Sequence, residues 1–133
     1  MKLGYARVSK ADGSQNLHLQ IEALLQEGVT LEHIYQDKAS GKKEDRPGLE
    51  ACLKALRSED ILIVWKLDRL GRNLNHLVNI IQDLAQRQIS FKVISGQGAS
   101  IDTATPSGKL IFSIFATLAE FDPRANHSWP ILG

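Results

Sequence analysis

Ile61-Leu62-Ile63-Val64-Trp65 is a continuous apolar run with a charged residue on either side of it. A run of β-branched, aliphatic and aromatic residues of this length predicts a strand that is covered on both faces, as in the middle of a parallel sheet. Covering both faces requires helices on each side, so this run favours an α/β fold.

Short apolar stretches and longer stretches of helical period alternate on both sides of this run. Further strands are predicted over residues 3–8, 33–36 and 91–94. Helices are predicted with Ser14 as N-cap and Gly28 as C-terminal stop, with Pro47 in the first turn, and after Asn73. The polar residues 37–46 are predicted to form a loop. The predicted fold is therefore α/β with three layers, in which flanking helices cover a mostly parallel sheet of four to five strands.

The last predicted helix differs from the others because residues 110–121 contain nine apolar residues out of twelve. Only Ser113, Thr117 and Glu120 are polar, and their spacing places them on one face. Such a helix either passes through a core or packs on a partner subunit, and we favour the partner. Since Pro123 disfavours helical geometry before it, the helix should end near residue 121. We therefore expect one domain over residues 1–121 and a disordered or loosely docked tail over 122–133.

Composition excludes several classes of protein. The chain has 133 residues, a net charge of +1 and one cysteine, Cys52, so a disulfide framework or a cysteine-rich metal site is excluded. No signal peptide or membrane-spanning segment is recognisable, which favours a cytoplasmic protein with no membrane partner. The glycines at 96, 98 and 108 match neither a dinucleotide-binding nor a P-loop pattern. The four histidines lack metal-ligand spacing, so no cofactor and no metal are expected.

Reactive side chains follow two of the predicted strands. Tyr5, Arg7 and Ser9 alternate along the first strand and should project to one face. Asp68, Arg69 and Arg72 follow the central strand, and parallel strands end at the same edge of a sheet. A hydroxyl beside several guanidinium groups suits phosphoryl transfer on a phosphodiester, because arginine binds phosphate oxygens in pairs. Taken singly, each motif is more often structural, as a surface ion pair, a helix cap or a turn residue, and it is their occurrence together at the ends of two adjacent strands that favours a site.

Four motifs in this order resemble the serine recombinase family, the transposon resolvases and DNA invertases. They are YARVS at 5–9, DKASG at 37–41, DRPGL at 45–49 and VWKLDRLGR at 64–72, and the resemblance runs from residue 2 to about 121. It implies a nucleophilic serine that attacks a DNA phosphodiester and becomes joined to the 5′-phosphate. The implied catalytic residues are Ser9, Arg7, Arg69, Arg72, Asp68 and Arg46. The implied contacts to DNA phosphate are Tyr5, Gln15, Gln20, Asp37, Lys54 and Lys66.

The resemblance also implies DNA as substrate, a homodimer or tetramer formed through helix 106–121, and the bacterial cytosol as location. In the family the long helix continues to a helix-turn-helix domain, whereas this sequence departs from the family after residue 121. We therefore expect a catalytic domain that is truncated before its DNA-binding domain and has little activity alone. The alternative hypothesis is a non-enzymatic dimerisation module that inhibits a full-length recombinase.

Overall fold

The computed structural model describes residues 1–9, 13–39, 46–66, 74–95 and 101–121. Along these residues the elements are β1 (Lys2–Ser9), α1 (Gly13–Gln26), β2 (Ile34–Ala39), α2 (Pro47–Ala55), β3 (Ile61–Val64), α3 (Leu74–Gln86), β4 (Ser90–Val93) and α4 (Pro106–Phe121). A short 3-10 helix, Leu31–His33, leads into β2. The described strands are all parallel and lie in the order β2-β1-β3-β4. The predicted α/β fold is confirmed.

The sheet separates two apolar cores. On one face, Leu24 of α1 packs with Ala6 and Ile63. On the other face, α2 and α3 pack against Tyr5 and Phe91 in the larger core. Since three consecutive β3 residues, 62–64, are each at most 1% exposed, the prediction of a central strand covered on both faces is confirmed.

Two predicted boundaries are wrong. Residues 37–39, predicted as loop, continue β2 and pair with residues 7–9 of β1. β2 is an edge strand of the described sheet, and its Gln36 and Lys38 side chains are exposed, so polar residues are tolerated there. Ser14 lies inside the first turn of α1, which already begins at Gly13, so Ser14 is not the N-cap. The predicted stop at Gly28 is confirmed: this residue follows α1 with φ of +97°, a conformation that favours glycine.

Helix α4 begins at Pro106 and ends at Phe121, as predicted. Its inner side packs Phe112 and Ala116 on Val78 of α3. Its outer side exposes four large apolar side chains, here called the outer stripe: Leu110, Ile114, Leu118 and Phe121, each between 52% and 79% exposed. The helix therefore lies on the surface and does not pass through a core.

The start of α4 is fixed to the edge of the sheet. The main-chain N–H of Phe91 donates to the Thr103 hydroxyl, and the N–H of Thr103 donates back to the Phe91 carbonyl. Gly108 lies so close to Asp102 that an added Cβ would overlap the Asp102 carbonyl oxygen. Among the described helices, none is long and apolar enough to cross a membrane. The predicted tail, 122–133, lies outside the described residues.

Candidate active site

At its carboxyl end β1 extends beyond β3 but not beyond β2. Ser9 ends β1 opposite Ala39 of β2, whereas β3 ends at Val64 opposite Tyr5. The last four residues of β1 therefore extend about 13 Å beyond β3, at the usual rise of a strand. Among the described residues, no strand pairs with this extension on its β3 side, and this part of the sheet is here called the open edge.

Asp37 joins three segments at this edge. Its Oδ2 accepts hydrogen bonds from the Tyr5 hydroxyl at 2.7 Å and from the main-chain N–H of Leu49 at 2.9 Å. Its Oδ1 accepts from the N–H of Gly48 at 2.8 Å. The first N–H groups of a helix have no partner inside the helix, so this carboxylate caps α2 from a strand.

Gly48 allows α2 to start this close to β2. A Cβ at this position would overlap the Gln36 carbonyl oxygen and lie 3.0 Å from the Asp37 Cγ. Because Arg46 immediately precedes α2, the cap also fixes the backbone position of this arginine. The α2 start, the Asp37 carboxylate and the Tyr5 hydroxyl thus form one unit, here called the Asp37 cap.

Both described arginines of the predicted site lie near the Asp37 cap. Burial raises the pKa of Tyr5 well above its usual range, and the hydrogen bond to Asp37 and the charge of that carboxylate raise it further. The positive charges of Arg46 and Arg7 act in the opposite direction and lower the pKa of the phenol by less. Arg7 lies opposite Asp37 in the register of β1 and β2, and Arg46 directly precedes the helix that Asp37 caps, so the backbone brings both arginines to this carboxylate and its Tyr5 partner.

Three residues expected to touch DNA phosphate are buried. Tyr5 and Gln20 are 0% exposed and Asp37 is 7% exposed. The Gln20 amide is hydrogen-bonded to the backbone of Arg7 rather than directed to solvent. These three side chains therefore have roles inside the protein, and their direct contact with DNA phosphate stays a prediction.

The other predicted contacts are spread over the domain. Gln15 is exposed in the first turns of α1, and Lys54 lies in the last turn of α2, at the far end of that helix from Arg46. Lys66 follows β3 at the open edge, where its Nζ lies 4.4 Å from the centroid of the Trp65 ring. Only the backbone position of Ser9 is described, and Asp68, Arg69 and Arg72 lie outside the described residues.

Sequence reasoning missed two residues of this region. Asn16 hydrogen-bonds Gln20, and the spacing of four residues on one helix could have indicated this contact. Gly48 is required by the close approach of α2 to β2, and no local pattern marks this contact. Among the described residues, no group of histidine, cysteine and acidic side chains could hold a metal ion.

Replacing Asp37 with asparagine is expected to destabilise the domain by about 2–4 kcal/mol, because the amide group cannot accept all three bonds and leaves buried donors unpaired. Urea unfolding followed by circular dichroism measures the loss. The matched control is Asp83→Asn on α3, where the carboxylate is 64% exposed and lies 3.9 Å from Arg87, and should change stability by less than about 0.5 kcal/mol. Equal effects of the two substitutions would contradict a capping role.

Replacing Tyr5 with phenylalanine is expected to weaken the loss of stability in alkaline solution. The raised pKa keeps the proton on folded Tyr5 while the unfolded chain loses it, so stability falls above about pH 10, by at most about 1.4 kcal/mol per pH unit. The phenylalanine variant lacks this contribution. Burial also raises the pKa of Cys52 to about 12, but both proteins share that contribution. Parallel stability curves between about pH 9 and pH 11 would refute the assignment.

Comparison with known proteins gives matches along nearly the whole chain. Residues 2–128 match the family model described as "Resolvase, N terminal domain". The chain is 45% identical to the serine recombinase gin of Escherichia phage Mu, 47% to the DNA-invertase of Escherichia phage P1 and 43% to the transposon Tn552 resolvase of Staphylococcus aureus. Each alignment covers 92% of this chain and 60%, 62% and 59% of the respective relative. The chain thus spans about three fifths of their length.

Solved structures agree with the sequence matches. The N-terminal catalytic domain of TP901-1 integrase superposes with a TM-score of 0.71 at 25% identity, covering 96% of this chain and 100% of that one. A resolvase family site-specific recombinase from Streptococcus pneumoniae superposes with a TM-score of 0.67 at 20% identity, covering 90% and 85% of the two chains. The second likeness supports the fold alone.

Proposed function

Because this chain belongs to the resolvase family of serine recombinases, we propose that it is the catalytic domain of a site-specific DNA recombinase. It cleaves and rejoins DNA strands through a 5′-phosphoserine intermediate. The observation that carries this proposal is that Arg7 lies opposite Asp37 in the sheet, and that Asp37 caps α2 directly after Arg46, at the edge where β1 ends with Ser9. Two guanidinium groups at this edge favour a substrate with phosphate oxygens.

The proposed reaction is a transesterification. The Ser9 Oγ attacks the phosphorus, the bond from phosphorus to the 3′-oxygen breaks, and the departing 3′-oxygen takes up a proton as the serine hydroxyl gives one up. One phosphodiester is exchanged for a phosphoserine ester of similar energy, so rejoining is the reverse step and no nucleotide is consumed. Serine is a weak nucleophile until its proton is removed. Asp68 is the proposed group that positions the arginines or accepts this proton.

The arginines supply the main catalytic effect in this proposal. Attack on phosphorus adds negative charge to the oxygens around it, and fixed cationic donors stabilise that charge best when they are already in place. Guanidinium groups stay charged at any working pH and offer paired donors. Arg7 and Arg46, together with Arg69 and Arg72, are proposed to surround the scissile phosphate. Holding them in advance is the role that the Asp37 cap supports.

Three further side chains are proposed to contact the DNA backbone beyond the scissile phosphate. Lys66 follows β3 at the open edge, and Gln15 lies exposed near the start of α1. Lys54 lies at the far end of α2 and would contact DNA only if the duplex, or a second bound molecule, passes there. We assign Lys66 the largest of these contributions, because it follows β3 at the same edge as Ser9 and carries a positive charge, whereas Gln15 is neutral.

The outer stripe of α4 supports the proposed assembly. Four large apolar side chains exposed along one side of a helix form an apolar patch whose contact with water is unfavourable. A second copy of the chain can bury this patch. We propose a homodimer, and a tetramer on DNA, formed through residues 106–121, with the bacterial cytosol as location. A dimer would place two copies of Ser9 on one DNA segment, which cleavage of both strands requires.

The test is capture of the covalent intermediate. The 133-residue chain, joined to a DNA-binding domain of known site, is incubated with nicked, pre-bent duplexes whose central segment has randomised sequence. Denaturing electrophoresis should show a protein–DNA adduct, and mass spectrometry should find the 5′-phosphate on Ser9. Attachment at another residue, or no adduct from folded protein that has assembled on DNA, would overturn the proposal. The second outcome would favour the dimerisation module instead.

A further inference from the structure

Two polar side chains, Gln20 and Asp37, are buried among the described residues. A buried polar group costs free energy unless its hydrogen bonds are satisfied, so each of them needs a reason to be there. Asp37 has one in the cap of α2. Gln20 lies on the opposite side of β1, on α1, and makes no contact with α2 among its hydrogen bonds.

The Gln20 amide pairs with the backbone of Arg7 in both directions. The N–H of Arg7 donates to Gln20 Oε1 at 3.1 Å, and Gln20 Nε2 donates to the Arg7 carbonyl at 2.9 Å. This is the pattern by which a strand residue bonds to a neighbouring strand. Because β3 ends opposite Tyr5, the strand partner of Arg7 within the described part of the chain is Asp37 of β2. The Gln20 amide therefore takes the place of a strand partner for Arg7, beyond the point where the pairing of β1 with β3 ends.

Asn16 fixes the orientation of this amide. Gln20 Nε2 donates a second hydrogen bond to Asn16 Oδ1 at 2.7 Å, one helical turn earlier on α1. With the NH₂ group held between two acceptors, Oε1 must face the N–H of Arg7, and the amide cannot rotate by half a turn without losing its bonds. An apolar side chain of the same length would fill the space but remove the hydrogen bonds that Gln20 makes to two backbone groups of Arg7.

We propose that Asn16 and Gln20 are positioning residues for strand cleavage. Their hydrogen bonds hold the end of β1 extended beyond β3, and this sets where the Arg7 guanidinium and the Ser9 hydroxyl meet the scissile phosphate. The inference rests on the proposed function. Its physical basis is that a reacting group displaced by about 1 Å can lose about 10²-fold in rate, so the last residues of a half-paired strand must be held.

Hydrogen exchange tests the contact without requiring activity. In Gln20→Met, the exchange of the Arg7 amide should become at least about tenfold faster, while amides of β3 keep their wild-type rates. Asn16→Leu should give a smaller increase in the same amide, and Asn16→Asp, which still accepts from Gln20, should restore protection. Gln26→Met, an exposed position on the same helix, is the matched control. An Arg7 amide that is equally protected in Gln20→Met and in the control would overturn the inference.

Single-turnover cleavage tests the positioning role, using the full chain joined to a DNA-binding domain at a temperature where each variant is fully folded. Gln20→Met should lower the rate of adduct formation at saturating DNA by at least about tenfold, while the half-saturating DNA concentration stays within about twofold. Asn16→Asp should react faster than Asn16→Leu. A merely structural role predicts unchanged rates in folded protein, and that result would overturn the inference.

If wild type forms no adduct, the proposed function and the positioning role fail together, and hydrogen exchange still decides whether Gln20 holds the strand.

Discussion

Ser9→Ala is expected to abolish covalent attachment to DNA, lowering the rate of adduct formation by at least about 10³-fold. The reason is that alanine has no atom that can form the ester with the 5′-phosphate, and the arginines alone cannot replace a nucleophile. The chain joined to a DNA-binding domain should bind DNA as tightly as wild type, because replacing serine with alanine does not change the charge of the protein. Denaturing electrophoresis measures the adduct, and a gel shift under native conditions measures binding.

The matched control for this prediction is Ser58→Ala. Ser58 is exposed near the amino ends of the strands, where its hydroxyl donates to Gln88 at 3.0 Å. This substitution should leave adduct formation within about twofold of wild type, since exposed substitutions away from a site change little. Adduct of undiminished yield in Ser9→Ala would show that another residue is the nucleophile.

Arg46→Lys is expected to lower the cleavage rate by about 10²–10³-fold while retaining the fold. Lysine keeps the positive charge but lacks the planar pair of donors that can bind two phosphate oxygens at once. Because Arg46 directly precedes α2, which the Asp37 cap holds in place, a shorter or differently shaped group cannot move to compensate. Rate constants at saturating DNA give the effect on the chemical step separately from binding.

Arg57→Lys is the control for this substitution. Arg57 is exposed beyond the end of α2, so the same chemical change is made at the other end of the helix that follows Arg46. Its cleavage rate should match wild type within about twofold. If both substitutions lower the rate equally, the loss in Arg46→Lys does not come from a position of Arg46 at the scissile phosphate.

The order and type of the elements were predictable because each depends on local periodicity. The apolar run at 61–65 predicted a covered central strand, and three of its residues are among the most buried in the domain. Pro47 marked the start of α2, and Gly28 marked the end of α1 through its positive φ. These signals lie within a few residues of the structure that they determine.

The candidate site was predictable only in part. Alternation along β1 correctly grouped Tyr5 with Arg7, but it did not show that Tyr5 is inside the core while Arg7 is half-buried. The polar residues after 36 indicated a loop, whereas they continue β2. The difference arises because Asp37 finds its hydrogen-bond donors in Tyr5, 32 residues earlier, and in Gly48 and Leu49, 11 and 12 residues later. No local pattern contains such partners.

The amino-acid sequence by itself determined the alternation of strands and helices, because apolar side chains at the right period gain free energy from burial in any α/β arrangement. It also carried the motifs by which the chain is identified as a member of its family. The tertiary structure alone decided that Asp37 and Gln20 act inside the protein. A polar side chain can be buried only where distant backbone groups satisfy it, and folding alone brings α1, α2 and the end of β1 within hydrogen-bond distance of one another.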